Sequence, residues 1–253
     1  MAAYYMAYLK SFYPSISNGY LACGGTVISN RYILTAAHCL YNKEKTPYEK
    51  TTRVEVYLKV HTVKPMEDNR QPIVVTGSNI KPHRNYLSGG LPNYSFDIAL
   101  LKLSQDLPSN YEWIKLFKPV YQGDLTAVGW GRTSSSGSTS ATMQQVDFQV
   151  GTEEECQNSW GYLYSHSYQL CGVTPNQSTC QGDSGGPVVH YNIDYQMYSQ
   201  VGITSFGHAD ANNNALCEMG FAVYTRVSAH YQWIHENSCY QADGGLCPNW
   251  AQV

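Results

Sequence analysis

Short runs in which apolar residues alternate with polar ones, or run on without a break, set the limits on how this chain folds. They dominate at Tyr4 to Leu9, Arg53 to Val60, Ile73 to Ile80, Ile98 to Leu103, Gln144 to Val150 and Gln196 to Phe206. Turn residues separate them, the pattern of an all-β barrel or sandwich. Helical periodicity is rare. "TEEECQNSW" reads as a short helix with Thr152 as its cap and acids in its first turn. The clearest helix is Ser228 to Asn237, where Val227, Tyr231 and Ile234 share one face. "GRTSSSGSTSA", Gly131 to Ala141, is flexible by composition and reads as a surface loop rather than a linker, because strand patterns resume directly after it.

A length of 253 residues fits one large all-β domain or two modest ones. Charged residues make up 14% and the net charge is −3, so no basic field invites nucleic acid or acidic membranes. No apolar run reaches membrane-spanning length. The 22 tyrosines favour strands and half-buried surfaces. Eight cysteines without a C-x-x-C pair argue against zinc or a thioredoxin-like redox motif and for disulfides formed outside the cell. "MAAYYMAYLK" has neither the charged start nor the long apolar core of a signal peptide, so the chain is expected to be a processed or truncated form of a secreted protein.

Three weak signals carry the chemistry. "TCQGDSGGP" places Ser184 in a glycine-rich turn, but a hydroxyl is a useful nucleophile only beside a base. "CGGTVISNRYILTAAHC" puts His38 next to Cys39, where a disulfide would pin its backbone; such a histidine is otherwise a structural residue. "DIALLKL" opens a buried strand with Asp97, an acid that must be paired there, or else is a turn residue at the strand end.

Together with "GWG" at Gly129 to Gly131, these motifs resemble the chymotrypsin–trypsin family of serine endopeptidases, in the family's order His, Asp, Ser, from about Tyr5 to Asn237. "GITSFG" and "CEMGFAVYTRV" resemble most its invertebrate chymotrypsin-like and collagenase-like members. The resemblance implies two six-stranded antiparallel β-barrels packed together, with a short C-terminal helix, in a single peptidase domain. Approximate bounds are 1–115 and 116–227 for the barrels, 228–237 for the helix and 238–253 for a tail. It implies Ser184 as nucleophile, His38 as general base and then acid, and Asp97 as the group that orients the imidazole. The N–H groups of Gly182 and Ser184 would receive the oxyanion. Three disulfides carry over: Cys23–Cys39, Cys156–Cys171 and Cys180–Cys217. Cys239 and Cys247 then pair most simply with each other, a bond to another chain being the alternative.

By the same resemblance Ser178 lies at the floor of the primary pocket with Thr179 beside it, and Gln181, Ser205, Phe206, Gly207 and Ala222 complete the substrate-binding surface. An uncharged floor disfavours lysine and arginine; open walls at Gly207 and Ala222 favour Phe, Tyr, Leu or Met before the cut. Ala222, with hydroxyls at Thr179 and Thr204, shortens the slot and makes it more polar. "HADANNNAL" after Gly207 is a long rim loop, either solvated or folded toward the substrate. Expected partners are protein and peptide substrates and protein protease inhibitors, with a monomer as the default and no cofactor.

The resemblance is incomplete in places. Family members bury a free N-terminal amine beside the acid preceding the nucleophile, here Asp183, and no "IVGG"-like segment supplies it. A zymogen-like form, or a catalytically silent binding or regulatory relative, is therefore the alternative to an active enzyme. In "VYLKVHTVKPMEDNRQP", Val60 and Arg70 stand where calcium-binding members carry carboxylates, so no metal is expected and Glu67 and Asp68 read as solvated acids. Sequons for N-glycosylation occur at Asn93 and Asn176, the latter close to the pocket floor.

Overall fold

The computed structural model describes residues 4–63, 70–116, 124–193, 196–212 and 214–238. The first half contributes β1 (Met6–Phe12), β2 (Leu21–Val27), β3 (Tyr32–Thr35), a small hairpin of β4 (Tyr41–Asn42) and β5 (Glu49–Lys50), then β6 (Arg53–Leu58), β7 (Ile73–Thr76), β8 (Ile80–Pro82) and β9 (Ala99–Lys102). The second half contributes β10 (Lys115–Leu116), β11 (Leu125–Gly129), β12 (Gln144–Val150), β13 (Gln169–Val173), β14 (Pro187–Asn192), β15 (Met197–Gly207) and β16 (Phe221–Arg226). Two α-helices, α1 (Glu153–Trp160) and α2 (Tyr231–Ser238), complete the described elements.

The first sheet runs β7-β6-β1-β2-β3-β9-β8. Its edge strands β7 and β8 are consecutive in the chain and joined only by the 3₁₀ turn Gly77–Asn79. The expected single run Ile73 to Ile80 is thus one strand path bent in the middle, and the sheet curls into a nearly closed barrel. The second sheet closes fully: β15-β14-β11-β12-β13-β16 returns to β15 through a direct β15–β16 pairing, and β10 adds to β15 from outside. Both barrels are antiparallel, as expected, except that β10 pairs with β15 in parallel.

Strand β1 shows how the alternation builds the molecule. Ala7 and Leu9 face the core of the first barrel with Ile33, Leu34, Val54 and Leu101, whereas Met6 and Tyr8 face a second cluster with Tyr57, Val128 and Trp130. A strand buried on both faces cannot slip by one residue without exchanging the two sets. The second cluster also bridges the barrels, because Val128 and Trp130 belong to the second half of the chain. Trp130 is 2% exposed and donates its Nε1–H to the His61 carbonyl at 3.0 Å. Each fully buried aliphatic in these clusters contributes about 2 kcal/mol through removal from water.

The expected helices are present with one adjustment. α1 begins with a capping box: the Glu155 N–H donates to Thr152 Oγ1 at 3.2 Å, and the Thr152 N–H donates to Glu155 Oε2 at 2.8 Å. The terminal segment is 3₁₀ over Val227–His230 before it becomes α2, so the expected helix starts with a tighter turn. Val227 and Ile234 are fully buried in the first barrel's cluster, with Tyr231 packed against it, so the helix of the second half is docked on the first.

Candidate active site

Three separate elements carry the sequence-predicted residues to one place. His38 lies in the 3₁₀ turn Ala37–Leu40 that follows β3, and the Cys23–Cys39 disulfide fastens this turn to β2. Asp97 stands between the 3₁₀ turn Tyr94–Phe96 and β9 and is 0% exposed. Its carboxylate binds His38 twice: the His38 backbone N–H donates to Oδ1 at 2.8 Å, and Nδ1 lies 2.8 Å from Oδ2. A carboxylate accepts only, so Nδ1 carries the hydrogen and the Nε2 lone pair is left for chemistry.

A third donor was not expected in that role. Ser205, assigned from sequence to the substrate surface, donates its hydroxyl to Asp97 Oδ2 at 2.5 Å. The reason is a register shift: Thr204 faces Tyr224 and Phe206 faces Val223, so Ser205 has no opposite residue and bulges from the ladder. Burial pushes the Asp97 carboxyl up, but the His38 imidazole, the Ser205 hydroxyl and the His38 N–H together outweigh it and hold the group below the usual carboxylate range. Thr225 Oγ1 also donates to the Asp97 carbonyl at 2.8 Å.

Ser184 is held by its backbone against the same disulfide-pinned region. Its carbonyl accepts the Gly24 N–H at 2.7 Å. The next residue, Gly185, has φ +75°, and a Cβ there would overlap Thr35 Oγ1 and stand 2.6 Å from the Gly24 carbonyl. The turn thus approaches β2 and β3 as closely as only glycine allows. No hydrogen bond joins Ser184 to His38; among the described residues His38 Nε2 has a weak contact with Cys39 Sγ at 3.9 Å. Cys23 and Cys39 also bring sulfur close to His38, but the disulfide leaves no thiolate to bind a metal. Among the described residues no acceptor engages the N–H of Gly182 or Ser184.

Asp183, the residue before Ser184, is held by two backbone N–H groups. Its oxygens accept the N–H groups of Gly131 at 2.7 Å and Cys180 at 3.0 Å, and a Cβ on Gly131 would overlap the carboxylate. That contact gives the "GWG" motif its physical meaning. Among the described residues no cation pairs with Asp183, and burial, opposed by the two N–H bonds, pushes its carboxyl up to about 6. A cavity of about 360 Å³ opens beside it, walled also by Gly131, Gln144, Ser178 and Thr179.

The residues expected at the pocket floor and walls, Ser178, Thr179, Gly207 and Ala222, carry no charge, whereas Arg132, Asp183 and Glu218 line other parts of the cavity. The Ser178 hydroxyl donates to the Cys217 carbonyl at 2.8 Å, and the Thr179 hydroxyl to Tyr224 Oη at 3.3 Å. Ala222 is 1% exposed, while Gly207 is open: a methyl group added there would meet only the Thr179 carbonyl, at 3.7 Å. Gln181 is exposed beside them. Phe206 packs between Tyr94 at 5.0 Å and Trp160 at 5.2 Å, and Trp160 stacks on His208 at 4.1 Å. Sequence reasoning gave no site role to Tyr94 or Trp160, which lie far apart in the chain, while His208 opens the rim loop it singled out but was not expected to stack there. The rim loop after Gly207 closes on itself: the Asp210 carboxylate accepts the N–H groups of Asn212 and Asn214 at 2.9 and 2.8 Å, and its polar tip is exposed.

The Cys156–Cys171 and Cys180–Cys217 disulfides are formed. Cys239 and Cys247 lie outside the described residues, as do Glu67 and Asp68. Val60 is buried with Tyr8 and Trp130, and the Arg70 guanidinium donates to the Leu58 carbonyl at 3.0 Å. Asn93 is exposed and its side chain caps the turn before Asp97; Asn176 is exposed with φ +58°.

Two barrels that bring a histidine–carboxylate pair beside a Gly-Asp-Ser-Gly-Gly turn define a recognisable class of hydrolase. The trypsin family model matches residues 5–234, so the chain belongs to the trypsin family and is a serine endopeptidase. Similar proteins include Trypsin-1 of Astacus astacus, 30% identical over 85% of this chain and 87% of that protein. Chymotrypsin-2 of Vespa crabro is 32% identical over 85% of this chain and 88% of its own length. A venom serine protease of Polistes dominula is 29% identical over 89% and 78%, respectively. Among the described residues no helix is long and apolar enough to cross a membrane.

Proposed function

We propose that this chain hydrolyses peptide bonds through Ser184, His38 and Asp97, with a preference for Phe, Tyr, Leu or Met before the cut. The observation that carries the reading is the double attachment of His38 to a fully buried Asp97, which fixes the tautomer that a base needs. In the reaction, Ser184 Oγ attacks the scissile carbonyl carbon and its proton passes to His38 Nε2. The carbonyl oxygen becomes an oxyanion that the N–H groups of Gly182 and Ser184 receive; one such donor contributes about 3 kcal/mol to the transition state. The intermediate expels the amine, which takes its proton from His38, and water then hydrolyses the acyl-enzyme by the same route. Asp97 remains ionised and stabilises the imidazolium.

The substrate preference rests on the uncharged floor at Ser178 and Thr179 and the open wall at Gly207. Secretion is supported by three disulfides, which persist in oxidising compartments. The enzyme works as a monomer and is open to protein inhibitors that fill its cleft. A second reading has one specific support: the half-buried Asp183 carboxylate at the wall of the cavity, with no cation beside it among the described residues, which fits a zymogen-like form awaiting an N-terminal ammonium. A panel of peptide anilides tests both. Turnover of the Phe, Tyr, Leu and Met substrates, lost in Ser184→Ala, supports the enzyme, and turnover only after an apolar N-terminus is supplied supports the zymogen. Faster turnover of Lys or Arg substrates contradicts the proposed preference.

A further inference from the structure

The stretch Gly131–Ala141, flexible by composition, is folded back as a hairpin: Arg132 bridges Thr139, and the Ser140 N–H donates to the Gly131 carbonyl at 3.1 Å. Ser135 then fastens it to the pocket rim. Its N–H donates to Glu218 Oε1 at 2.8 Å, its hydroxyl donates to Glu218 Oε2, and the same hydroxyl oxygen accepts the Cys217 N–H at 2.8 Å. Cys217 is tied in turn to the nucleophile turn by its disulfide to Cys180, and its carbonyl accepts the Ser178 hydroxyl. At the other end of the hairpin, the Arg132 N–H donates to the Gln181 carbonyl at 3.0 Å. These contacts form a closed ring through Arg132, Ser135, Cys217, Cys180 and Gln181, with the covalent chain completing each side. On the rim side the Ser135 hydroxyl is donor to Glu218 and acceptor from Cys217, and the Ser135 N–H is a second link to Glu218.

We propose that Ser135 is a positioning residue for substrate binding: it holds Cys217 and Glu218 against the turn that carries Gln181 to Ser184, and it touches no reacting atom. The proposal rests on the endopeptidase reading above. A rim held by the two hydrogen bonds of the Ser135 hydroxyl and by its backbone N–H binds substrate in a formed groove, whereas a released rim must be ordered by the substrate itself. Losing the hydroxyl also leaves the Cys217 N–H without its acceptor. The effect therefore falls on KM rather than on the bond-making step.

The test compares wild type with Ser135→Ala, Ser135→Thr and Glu218→Ala, by amide hydrogen exchange read by mass spectrometry and by steady-state kinetics on peptide anilides. Expected in Ser135→Ala and Glu218→Ala is faster exchange in the peptide containing Cys217, by about tenfold, with KM up about three- to tenfold and kcat within about twofold. Ser135→Thr, which keeps the hydroxyl, restores both. Unchanged exchange in the alanine variants overturns the clamp, and does so even if the chain hydrolyses nothing, which is the separate failure of the endopeptidase reading. Faster exchange with KM unchanged in an active enzyme overturns the substrate role, and equal damage from threonine and alanine overturns the assignment to the hydroxyl. Glu218 is exposed, so its variant keeps the test in force if Ser135→Ala fails to fold.

Discussion

His38 has two attachments to one carboxylate, and that carboxylate has a third partner in Ser205. A buried anion with three donors has little freedom to rotate, so the imidazole is oriented before any substrate arrives. Asp97→Asn keeps the volume but presents an amide that donates where Nδ1–H also donates. The imidazole is then driven to the other tautomer, and kcat is expected to fall by about 10⁴-fold, the size general to Ser–His–Asp triads. Steady-state kinetics on a Phe anilide measures it; a loss under about tenfold contradicts the role given to Asp97. At this scale the sequence was legible where a residue sits in a motif, as His38, Asp97 and Ser184 do. It was not legible for Ser205, whose side-chain direction depends on a bulge between β15 and β16, or for Tyr94 and Trp160, which meet Phe206 only after the barrels pack.

Among the elements, α1 shows local and tertiary signals agreeing. Thr152 and Glu155 form a capping box, Cys156 and Trp160 are the buried positions, and the Cys156–Cys171 disulfide staples the helix to β13. The two cysteines are 15 residues apart. Closing a loop of that size stabilises the fold by about 3 kcal/mol, largely through the unfolded chain. Replacing both cysteines by alanine is expected to lower stability by about that amount in denaturant unfolding, with the proposed triad unmoved; a change below about 0.5 kcal/mol contradicts it. The alternation that identified β1, β6, β12 and β15 was readable because one or both faces of each are buried. The bend between β7 and β8 was not, since the apolar run continues through it and only the closure of the barrel demands a turn there.

On the scale of the whole molecule, α2 and its preceding turn bind the two halves, and a pair of histidines lies at that junction. His83 and His230 are 8% and 3% exposed, with ring centroids 5.7 Å apart, among Phe96, Tyr168 and Trp233. Burial, with the Arg84 charge adding to it, pushes His83 down to about 4. Burial and then His83 push His230 down to about 4, against the pull of the Ser95 carbonyl and Asp97. Unfolded histidine takes its proton near pH 6.5, so the unfolded chain gains protons first as pH falls. Stability is therefore expected to be full above about pH 6.5 and to decline as pH drops toward about 4, by on the order of 3 kcal/mol. Asp183, raised to about 6, acts in the opposite sense over part of that window, and Asp97, held low, adds its loss only below about pH 4. Thermal unfolding from pH 7.5 to 4 checks this: His83→Phe/His230→Phe should flatten the decline, and parallel curves would contradict it.

A fluorophosphonate probe reports whether Ser184 is an activated nucleophile, with mass spectrometry to locate the adduct and Ser184→Ala beside it. A single adduct on Ser184 is expected, absent from the alanine variant and from His38→Ala. A folded, disulfide-bonded chain that takes no adduct, with or without an apolar N-terminus supplied, would contradict it.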